Sequence, residues 1–422
     1  MNPAYATVDH VFDVPLDHSS PGGPRIEVFA REVADPARAG EPLPWLLYLQ
    51  GGPGGKSPRP SAGSPGWLDH ALKTHRVLLL DQRGTGRSTP VTARTAARCA
   101  DPGRARRVPG PLPGGLDSRG RRADTPRPVR RRALGDARPE LRRLPHPHLP
   151  LPGAGGAAVL LCGGRPARTE RDRRRGLRPH LPPRVRDRVL EFYDRYPDDA
   201  PRLRRIADLL GAGDVRLPDG DRLTVRRLRA LGLALGMGDG FERLHWLLDE
   251  ALDADGEPSD VFLHQTANLT GFRENPLYAV LQETIYGQGG APTAWAASRA
   301  MADLPEFADD ADPLMLTGEM IYPWMFRDIA GLRPFAEAAE LLAHSDAWQP
   351  LYDPRRLAAN RVPVAAVVYH DDMYVDAGLS LRTAREVGAV RTWVTNEWEH
   401  DGIGASGGRV LARLMDMAAG RA

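Results

Sequence analysis

The sequence predicts an α/β fold, a mostly parallel, doubly wound sheet into which a helical cap domain is inserted. Three observations lead to this prediction. Two short apolar runs, at residues 45–49 and 76–80, each end in a glycine-rich turn; residues 189–351 change to a helical spacing of apolar residues; and strand-like runs return at residues 362–369 and 389–394. Apolar runs without alternation are typical of strands that are covered on both faces.

The first hundred residues are predicted to form the front of the sheet. Alternating apolar and polar residues between positions 8 and 33 favour an antiparallel opening hairpin. The runs WLLYL and RVLLL follow as parallel strands, and such sheets bind ligands in the loops after their strands. Those loops are QGGPGG, residues 50–55, and DQRGTGRS, residues 81–88. In the second loop we expect a buried ion pair between Asp81 and Arg83 that supports the loop structurally.

The second half of the chain divides into a helical part and a closing part of the core. Residues 225–235, 241–251 and 334–343 place apolar residues three and four positions apart, which is the spacing of amphipathic helices. This pattern predicts a helical cap domain over residues 184–350. The strands VPVAAVVY and AVRTWV, followed by an amphipathic helix, assign residues 351–422 to the core.

Residues 102–183 fit neither pattern and separate the front part of the core, residues 1–101, from everything that follows. Between Asp101 and Leu190 the chain has 23 arginines against 8 acidic residues, together with many prolines and glycines. Composition predicts disorder for such a segment. A structureless stretch of this length inside a parallel sheet contradicts the rest of the prediction. We therefore expect the centre of the sheet to be disrupted.

Two regions carry residue types that suit acyl transfer. After the first parallel strand, Gly51 and Gly52 allow a backbone N–H to approach a developing alkoxide, a contact worth about 3 kcal/mol of the barrier. Near the end of the chain, one strand runs into HDDMYVD and the next into EWEHDG. A carboxylate that binds one imidazole nitrogen fixes the tautomer of a general base. Asp371 or Asp372 is thus the candidate acid, and His400 is the candidate base.

These motifs together resemble the prolyl aminopeptidase (proline iminopeptidase) family of α/β-hydrolases. The resemblance covers roughly residues 4–100 and 184–422, and its most specific pieces are GGPGG, DQRGTGRS, ENPLYAVLQETIYGQG, TGEMIYPWMF, VYHDDMYVD and EWEHDG. It implies an α/β-hydrolase fold and a serine enzyme that releases N-terminal proline from peptides. Asp372 matches the family's acid better than Asp371 does, and His400 matches its base.

By the same resemblance, carboxylates of the cap bind the free amino terminus of the peptide, and an apolar, aromatic pocket holds the pyrrolidine ring. Glu283 and Glu319 are the candidates, because both lie in cap segments beside aromatic residues, and Glu274 is a weaker third. A buried ammonium group needs an opposite charge. A capping or surface role is an equal alternative for Glu283 and for Glu319.

The family's nucleophile, a serine in Gly-x-Ser-x-Gly, is missing between the two matching parts. Residues 137–150 lie where this motif is expected. If these residues are written as codons with free third bases and read one nucleotide later, they can encode Leu-Gly-Gln-Ser-Phe-Gly-Gly. The serine codon then straddles Glu140 and Leu141. We interpret residues 102–183 as approximately a frame-shifted reading of the nucleophile region. The run GASGG, residues 404–408, follows the base, whereas the family's serine precedes it.

Other functions stay open at this point. A chain made as printed would lack proline-releasing activity and would be a pseudoenzyme or an unstable product. Another α/β-hydrolase, such as an esterase, would share the same oxyanion and acid–base parts. An arginine-rich nucleic-acid binder is a third alternative, but the segment lacks interleaved aromatic residues. Arginine with almost no lysine, only Lys56 and Lys73, is also what GC-rich codons produce.

Composition limits the compartment and the cofactors. Apolar runs of strand length, an N-terminus without a basic or apolar leader region, and a hydrophobic content of 41% predict a cytoplasmic protein that does not contact a membrane. The two cysteines, Cys99 and Cys162, indicate neither a disulfide framework nor a metal site. We expect no metal, no cofactor and no nucleic-acid partner; peptides with N-terminal proline are the expected substrates.

Overall fold

The computed structural model describes residues 4–18, 20–52, 54–61, 66–99, 181–286, 292–348 and 353–422. The segment predicted to be frame-shifted lies outside these residues, except for positions 181–183. The predicted place of the nucleophile, at Glu140 and Leu141, lies outside them as well.

The front part of the chain forms a four-stranded sheet in the order β1–β2–β4–β3. Its strands are β1 (Ala6–Pro15), β2 (Arg25–Ala34), β3 (Trp45–Leu49) and β4 (Arg76–Leu80). β1 and β2 form the predicted antiparallel hairpin, β2 is antiparallel to β4, and β3 is parallel to β4. Leu49 pairs with Leu80, so the two glycine-rich loops begin side by side at one edge of the sheet.

The described residues contain fifteen α-helices. They are α1 (Gly66–Leu72), α2 (Ala93–Cys99), α3 (Leu181–Arg195), α4 (Asp199–Ala212), α5 (Val225–Arg229), α6 (Gly240–Asp249), α7 (Asp260–Thr270), α8 (Pro276–Gln282), α9 (Ala296–Ala302), α10 (Met325–Asp328), α11 (Ala336–Ala343), α12 (Pro354–Ala358), α13 (Ala377–Glu386), α14 (Gly402–Ala405) and α15 (Arg409–Ala418). Short 3₁₀ helices occur at Pro36–Arg38, Ala230–Gly236, Thr284–Tyr286, Pro305–Phe307 and Arg333–Phe335.

A second sheet consists of two parallel strands, β5 (Val364–Tyr369) and β6 (Val390–Thr395). Every residue of β5 is buried, as its continuous apolar sequence predicts. Helix α15 connects the two sheets through its apolar face. Leu411 packs in the apolar cluster of the front sheet, whereas Leu414 packs in the cluster that contains β5.

The regular elements within residues 181–286 and 292–343 are helices and two isolated β-bridges, in agreement with the spacing of the apolar residues. Helix α3 begins at Leu181, three residues before the predicted boundary, because proline is well tolerated in the first turn of a helix. One apolar core runs through this helical segment, and it also includes Met373 and Tyr374 from the loop after β5. The helical segment therefore shares its core with the loop that carries the candidate acid.

Candidate active site

The structure brings Asp372 and His400 together. Asp372 follows β5 and His400 follows β6, and the parallel pairing of these strands places both loops at one edge. His400 Nδ1 lies 2.9 Å from Asp372 Oδ2. The Asp372 side chain is only 5% exposed, and its Oδ1 accepts hydrogen bonds from the backbone N–H groups of Tyr374, at 2.8 Å, and Val375, at 3.0 Å. A carboxylate held in this way keeps the imidazole proton on Nδ1, as a general base requires.

The neighbouring acid, Asp371, has other contacts. Its side chain is 45% exposed and lies 2.8 Å from His370 Nδ1 and 3.5 Å from Arg184. The carboxylate partner of His400 is therefore Asp372 and not Asp371.

Contacts with the helical segment hold the imidazole from the other side. The backbone N–H of His400 donates to the carbonyl oxygen of Gly236 at 3.3 Å. The ring of Tyr374 lies edge-on to the imidazole, with centroids 5.0 Å apart, and its hydroxyl donates to the carbonyl oxygen of Leu233. A Cβ on Gly236 would overlap the Tyr374 ring, so the close approach of this 3₁₀ helix requires glycine.

The glycine loop after β3 is shaped by the start of α8. Gly52 and Gly54 have φ angles of 70° and 91°, in the left-handed region that favours glycine. A Cβ on Gly54 would overlap the backbone of Leu277 and Tyr278, and one on Gly52 would lie 3.6 Å from the Tyr278 ring. Gly51 and Gly52 are both exposed. The predicted oxyanion residues thus lie on an accessible loop that is packed against Tyr278.

The loop after β4 is organised by Asp81, but the predicted ion pair with Arg83 is wrong. Asp81 is fully buried and is bound by both terminal nitrogens of Arg59, at 2.9 and 2.5 Å. The backbone N–H groups of Ser57 and Arg87 donate to the same carboxylate at 3.1 and 2.9 Å. Asp81 therefore joins the loop after β4 to the segment that follows the glycine loop.

Arg83 lies elsewhere because the chain turns directly after it. Gly84 and Gly86 both have positive φ angles, of 79° and 50°. Arg83 donates instead to the carbonyl oxygens of Pro15 and Leu16 at the end of β1, at 2.8 and 2.9 Å. Burial lowers the pKa of this guanidinium. Its role is to fasten the opening hairpin to the loop.

Glu319 is linked to the glycine loop through Tyr278. Its Oε1 accepts a hydrogen bond of 2.6 Å from the hydroxyl of Tyr278, whose ring faces Gly52. Burial and then the negative charges of Glu319 and Asp372 raise the pKa of Tyr374 well above its ordinary value. The charge of Glu319 therefore acts on Tyr374, whose ring contacts His400.

The other two candidate glutamates have different surroundings. Glu283 is 6% exposed, and its carboxylate accepts a hydrogen bond of 3.0 Å from the backbone N–H of Ala296, the first residue of α9. This is the capping role that the sequence left open. The side chain of Glu274 is 88% exposed and lies 3.8 Å from Lys56. Of the three, Glu319 has the contact that reaches the glycine loop.

The run GASGG has a packing role. Ser406 is 3% exposed, and its Oγ accepts a hydrogen bond of 3.1 Å from the backbone N–H of Val410. Gly408 has a φ of 92°, and a Cβ there would overlap the backbone of Gly66. The glycines therefore let the start of α15 approach α1.

Sequence reasoning missed Tyr278 and Tyr374. Both lie inside the strings that carry the family resemblance, ENPLYAVLQETIYGQG and VYHDDMYVD, and this signal could have found them. In the described ranges, no group of three or more His, Cys, Asp or Glu side chains is arranged to hold a metal ion. None of the helices described has the length and apolar character that crossing a bilayer requires.

Comparison with known proteins identifies the family. No protein-family model matches the chain. The proline iminopeptidase of Aeromonas sobria is 40% identical over 426 residues, which cover 96% of this chain and 95% of that protein. The proline iminopeptidase aneH of Aspergillus aculeatus is 32% identical over 427 residues, which cover 96% of this chain and 91% of that protein.

Solved structures overlap the chain only loosely. VinJ has 13% identity and a TM-score of 0.29, with 98% of this chain and 99% of VinJ covered. The esterase EaEST from Exiguobacterium antarcticum has 9% identity and a TM-score of 0.28, with 93% and 96% covered. These superpositions are too distant to bear on the fold, and the assignment depends on the two sequence relatives. Their similarity over nearly the whole length shows that the chain belongs to the proline iminopeptidase family of α/β-hydrolases.

Proposed function

We propose that the gene for this chain encodes a serine aminopeptidase that releases N-terminal proline from peptides, and that the printed chain has lost this activity with its nucleophile. The observation that carries the proposal is the Asp372–His400 pair. A buried carboxylate lies 2.9 Å from an imidazole nitrogen at the ends of two parallel strands, as in the acid and base of a catalytic triad. Both sequence relatives are named proline iminopeptidases.

In the complete site, His400 takes the proton of the serine hydroxyl as its oxygen attacks the prolyl carbonyl carbon. Asp372 stabilises the imidazolium that forms. Backbone N–H groups of the loop with Gly51 and Gly52 donate to the oxyanion. His400 then protonates the leaving amine of the shortened peptide, and water attacks the prolyl ester with the same base.

Glu319 binds the prolyl ammonium group in this proposal. The hydroxyl of Tyr278 holds one of its carboxylate oxygens at 2.6 Å, which limits the rotation of the side chain. A carboxylate fixed in this way is a suitable partner for a positive charge. Glu283, the other candidate, has the cap of α9 as its partner, which supports a structural role.

The extent of the sequence similarity supports the frame-shift interpretation. The Aeromonas sobria protein aligns with 96% of this chain and over 95% of its own length, so residues 102–183 replace a region of similar size and are not an insertion. Their single serine, Ser118, lies in Leu-Asp-Ser-Arg-Gly and not in Gly-x-Ser-x-Gly. Two compensating shifts of the reading frame replace the sequence between them and keep its length.

The test compares the printed chain with a chain whose reading frame is restored across residues 102–183. We expect the restored DNA to encode Gly-x-Ser-x-Gly and its product to cleave proline p-nitroanilide. The printed chain should be slower by about 10⁶-fold in kcat, the cost of removing a triad nucleophile. Cleavage of p-nitrophenyl esters alone would favour the esterase alternative. Turnover of the prolyl substrate by the printed chain that disappears in His400→Ala would contradict the proposed loss.

A further inference from the structure

The loop that carries the candidate base, residues 396–401, is tied to the helical segment by a second contact; we name it the base loop. Glu399 directly precedes His400, and its Oε1 lies 2.9 Å from Nη2 of Arg188 on α3. The side chain of Arg188 is 11% exposed, and that of Glu399 is 21% exposed. This largely buried ion pair therefore crosses from the base loop to the helical segment.

Arg188 is itself held in place by other groups. Its guanidinium lies 4.5 Å from the centroid of the Phe241 ring, donates to the carbonyl oxygen of Leu235 at 3.2 Å, and pairs with the exposed Glu191 at 2.7 Å. An exposed ion pair loses side-chain freedom when it forms, and this loss cancels most of its benefit. The contacts with the Phe241 ring and the Leu235 carbonyl already immobilise Arg188. Pairing with Glu399 therefore costs Arg188 little further side-chain freedom.

The buried position of Glu399 is unfavourable for the free energy of folding. Its Oε2 is buried and has no protein hydrogen-bond partner in the described part of the chain. Burial raises the pKa of Glu399 to about 7 against the lowering effect of Arg188, and the carboxylates of Glu191, Asp371 and Asp372 add to the rise. A buried, half-satisfied carboxylate costs stability. This cost favours a role other than stabilisation.

We propose that Glu399 is a positioning residue for His400, which it keeps in line with Asp372 by fixing the base loop to Arg188. The proposal rests on His400 being the base of the proposed function. Two backbone contacts act in the same direction. His400 N–H donates to the Gly236 carbonyl, and Asp401 accepts a hydrogen bond of 3.1 Å from the N–H of Gly238.

The experiment uses the full printed chain and needs no turnover. Amide hydrogen exchange of the base loop is followed by mass spectrometry, and the Nδ1 proton of His400 by NMR, with His400→Ala for assignment. Glu399→Leu removes the ion pair and keeps the volume of the side chain, whereas Glu399→Gln keeps its shape and a polar oxygen beside Arg188. Glu191→Gln is the matched control, since it changes the other carboxylate on the same guanidinium.

We expect Glu399→Leu to accelerate exchange in the base loop about tenfold and to broaden the His400 resonance. Glu399→Gln should stay close to the parent chain, and Glu191→Gln should equal it. The thermal midpoint of Glu399→Leu at pH 8 should not fall, because a buried charge has been removed. If the ion pair only stabilised the fold, its loss in Glu399→Leu would lower that midpoint.

Unchanged exchange in Glu399→Leu, or an equal acceleration in Glu191→Gln, would overturn the proposal. If Glu399→Leu does not fold, Arg188→Lys is judged by the same two readouts, because lysine keeps the charge and loses the planar donor group. A failure of the proposed proline-releasing activity would leave these measurements unchanged, so the two proposals can fail separately.

Discussion

Among the described residues, two histidine–aspartate pairs have a buried carboxylate and nearly equal geometry, and they lie in different regions. In the helical segment, His245 Nδ1 lies 2.8 Å from Asp199 Oδ2, and at the strand ends His400 Nδ1 lies 2.9 Å from Asp372 Oδ2. Both carboxylates are buried, and both imidazoles are partly exposed, to 18% and 29%. A short contact between these side chains therefore does not identify a catalytic base.

The surroundings distinguish the two pairs. Asp199 also binds Arg202 at 2.8 Å, and the ring of His245 stacks flat on Tyr196, with centroids 4.0 Å apart. These contacts join α4 and α6 to the end of α3, which is a structural role. Asp372 is bound instead by backbone N–H groups at the carboxyl end of β5, where open α/β sheets bind their ligands. Position in the sheet and backbone donors, rather than distance, therefore distinguish the proposed acid–base pair from the structural pair.

The largest difference should appear when each histidine is replaced in the enzyme with its reading frame restored. His400→Ala removes the proposed base and should lower kcat on proline p-nitroanilide about 10⁶-fold. His245→Ala removes a ring that packs between helices, so it should lower the thermal midpoint and leave kcat unchanged. A comparable loss of kcat in both variants would remove the distinction between the pairs.

Much of this site was predictable because the local sequence determines which segments form buried strands. The uninterrupted apolar run of β5 predicts a buried strand, and the residues just past β5 and β6 must then meet at one edge. The same reasoning placed Asp371 or Asp372 near His400 without any knowledge of the helical segment, and the family resemblance favoured Asp372. Family membership, predicted from motifs in both halves, is confirmed by the two proline iminopeptidases.

The parts that were not predictable depend on residues far apart in the chain. Asp81 pairs with Arg59 rather than with Arg83 because a turn directs Arg83 to the end of β1, and local spacing carries no sign of that path. Tyr278 reaches the glycine loop only because α8 packs against it. Arg188 and Glu399 meet across the boundary between the helical segment and the core. Such contacts are set by tertiary packing, which periodicity does not encode.

The same distinction, between a group that meets the substrate and one that joins helices, applies to the two glutamates of the helical segment. In the frame-restored enzyme, Glu319→Gln should lower kcat/KM about a hundredfold, mostly through KM, because the prolyl ammonium loses its counter-charge. Glu283→Gln should leave KM unchanged and lower the thermal midpoint, since the Glu283 carboxylate caps α9. The reverse result would move the amine site to Glu283.

The pairs should also differ in how their surroundings respond to pH, and this is the smallest expected effect. Beside His400, burial raises the pKa of Glu399 from 4.5 to about 7, so between these values the folded chain binds a proton that the unfolded chain has released. The free energy of unfolding must then fall as pH rises from 4.5 to 7. The full shift corresponds to about 3 kcal/mol, and solvent screening of the partly exposed side chain reduces it to about 1–2 kcal/mol.

Glu399→Gln should remove this part of the pH dependence, which urea unfolding between pH 4.5 and 8 measures. The free energy of unfolding should rise at pH 8 and stay unchanged at pH 4.5, where the parent carboxyl is already protonated in the folded chain. Tyr196→Phe is the matched control from the helical pair and should keep the parent slope, because its ring stacks on His245 and the change removes no group whose ordinary pKa lies between 4.5 and 8. If Glu399→Gln keeps that slope as well, the buried charge beside His400 is not the source of the cost, and the two pairs differ in position alone.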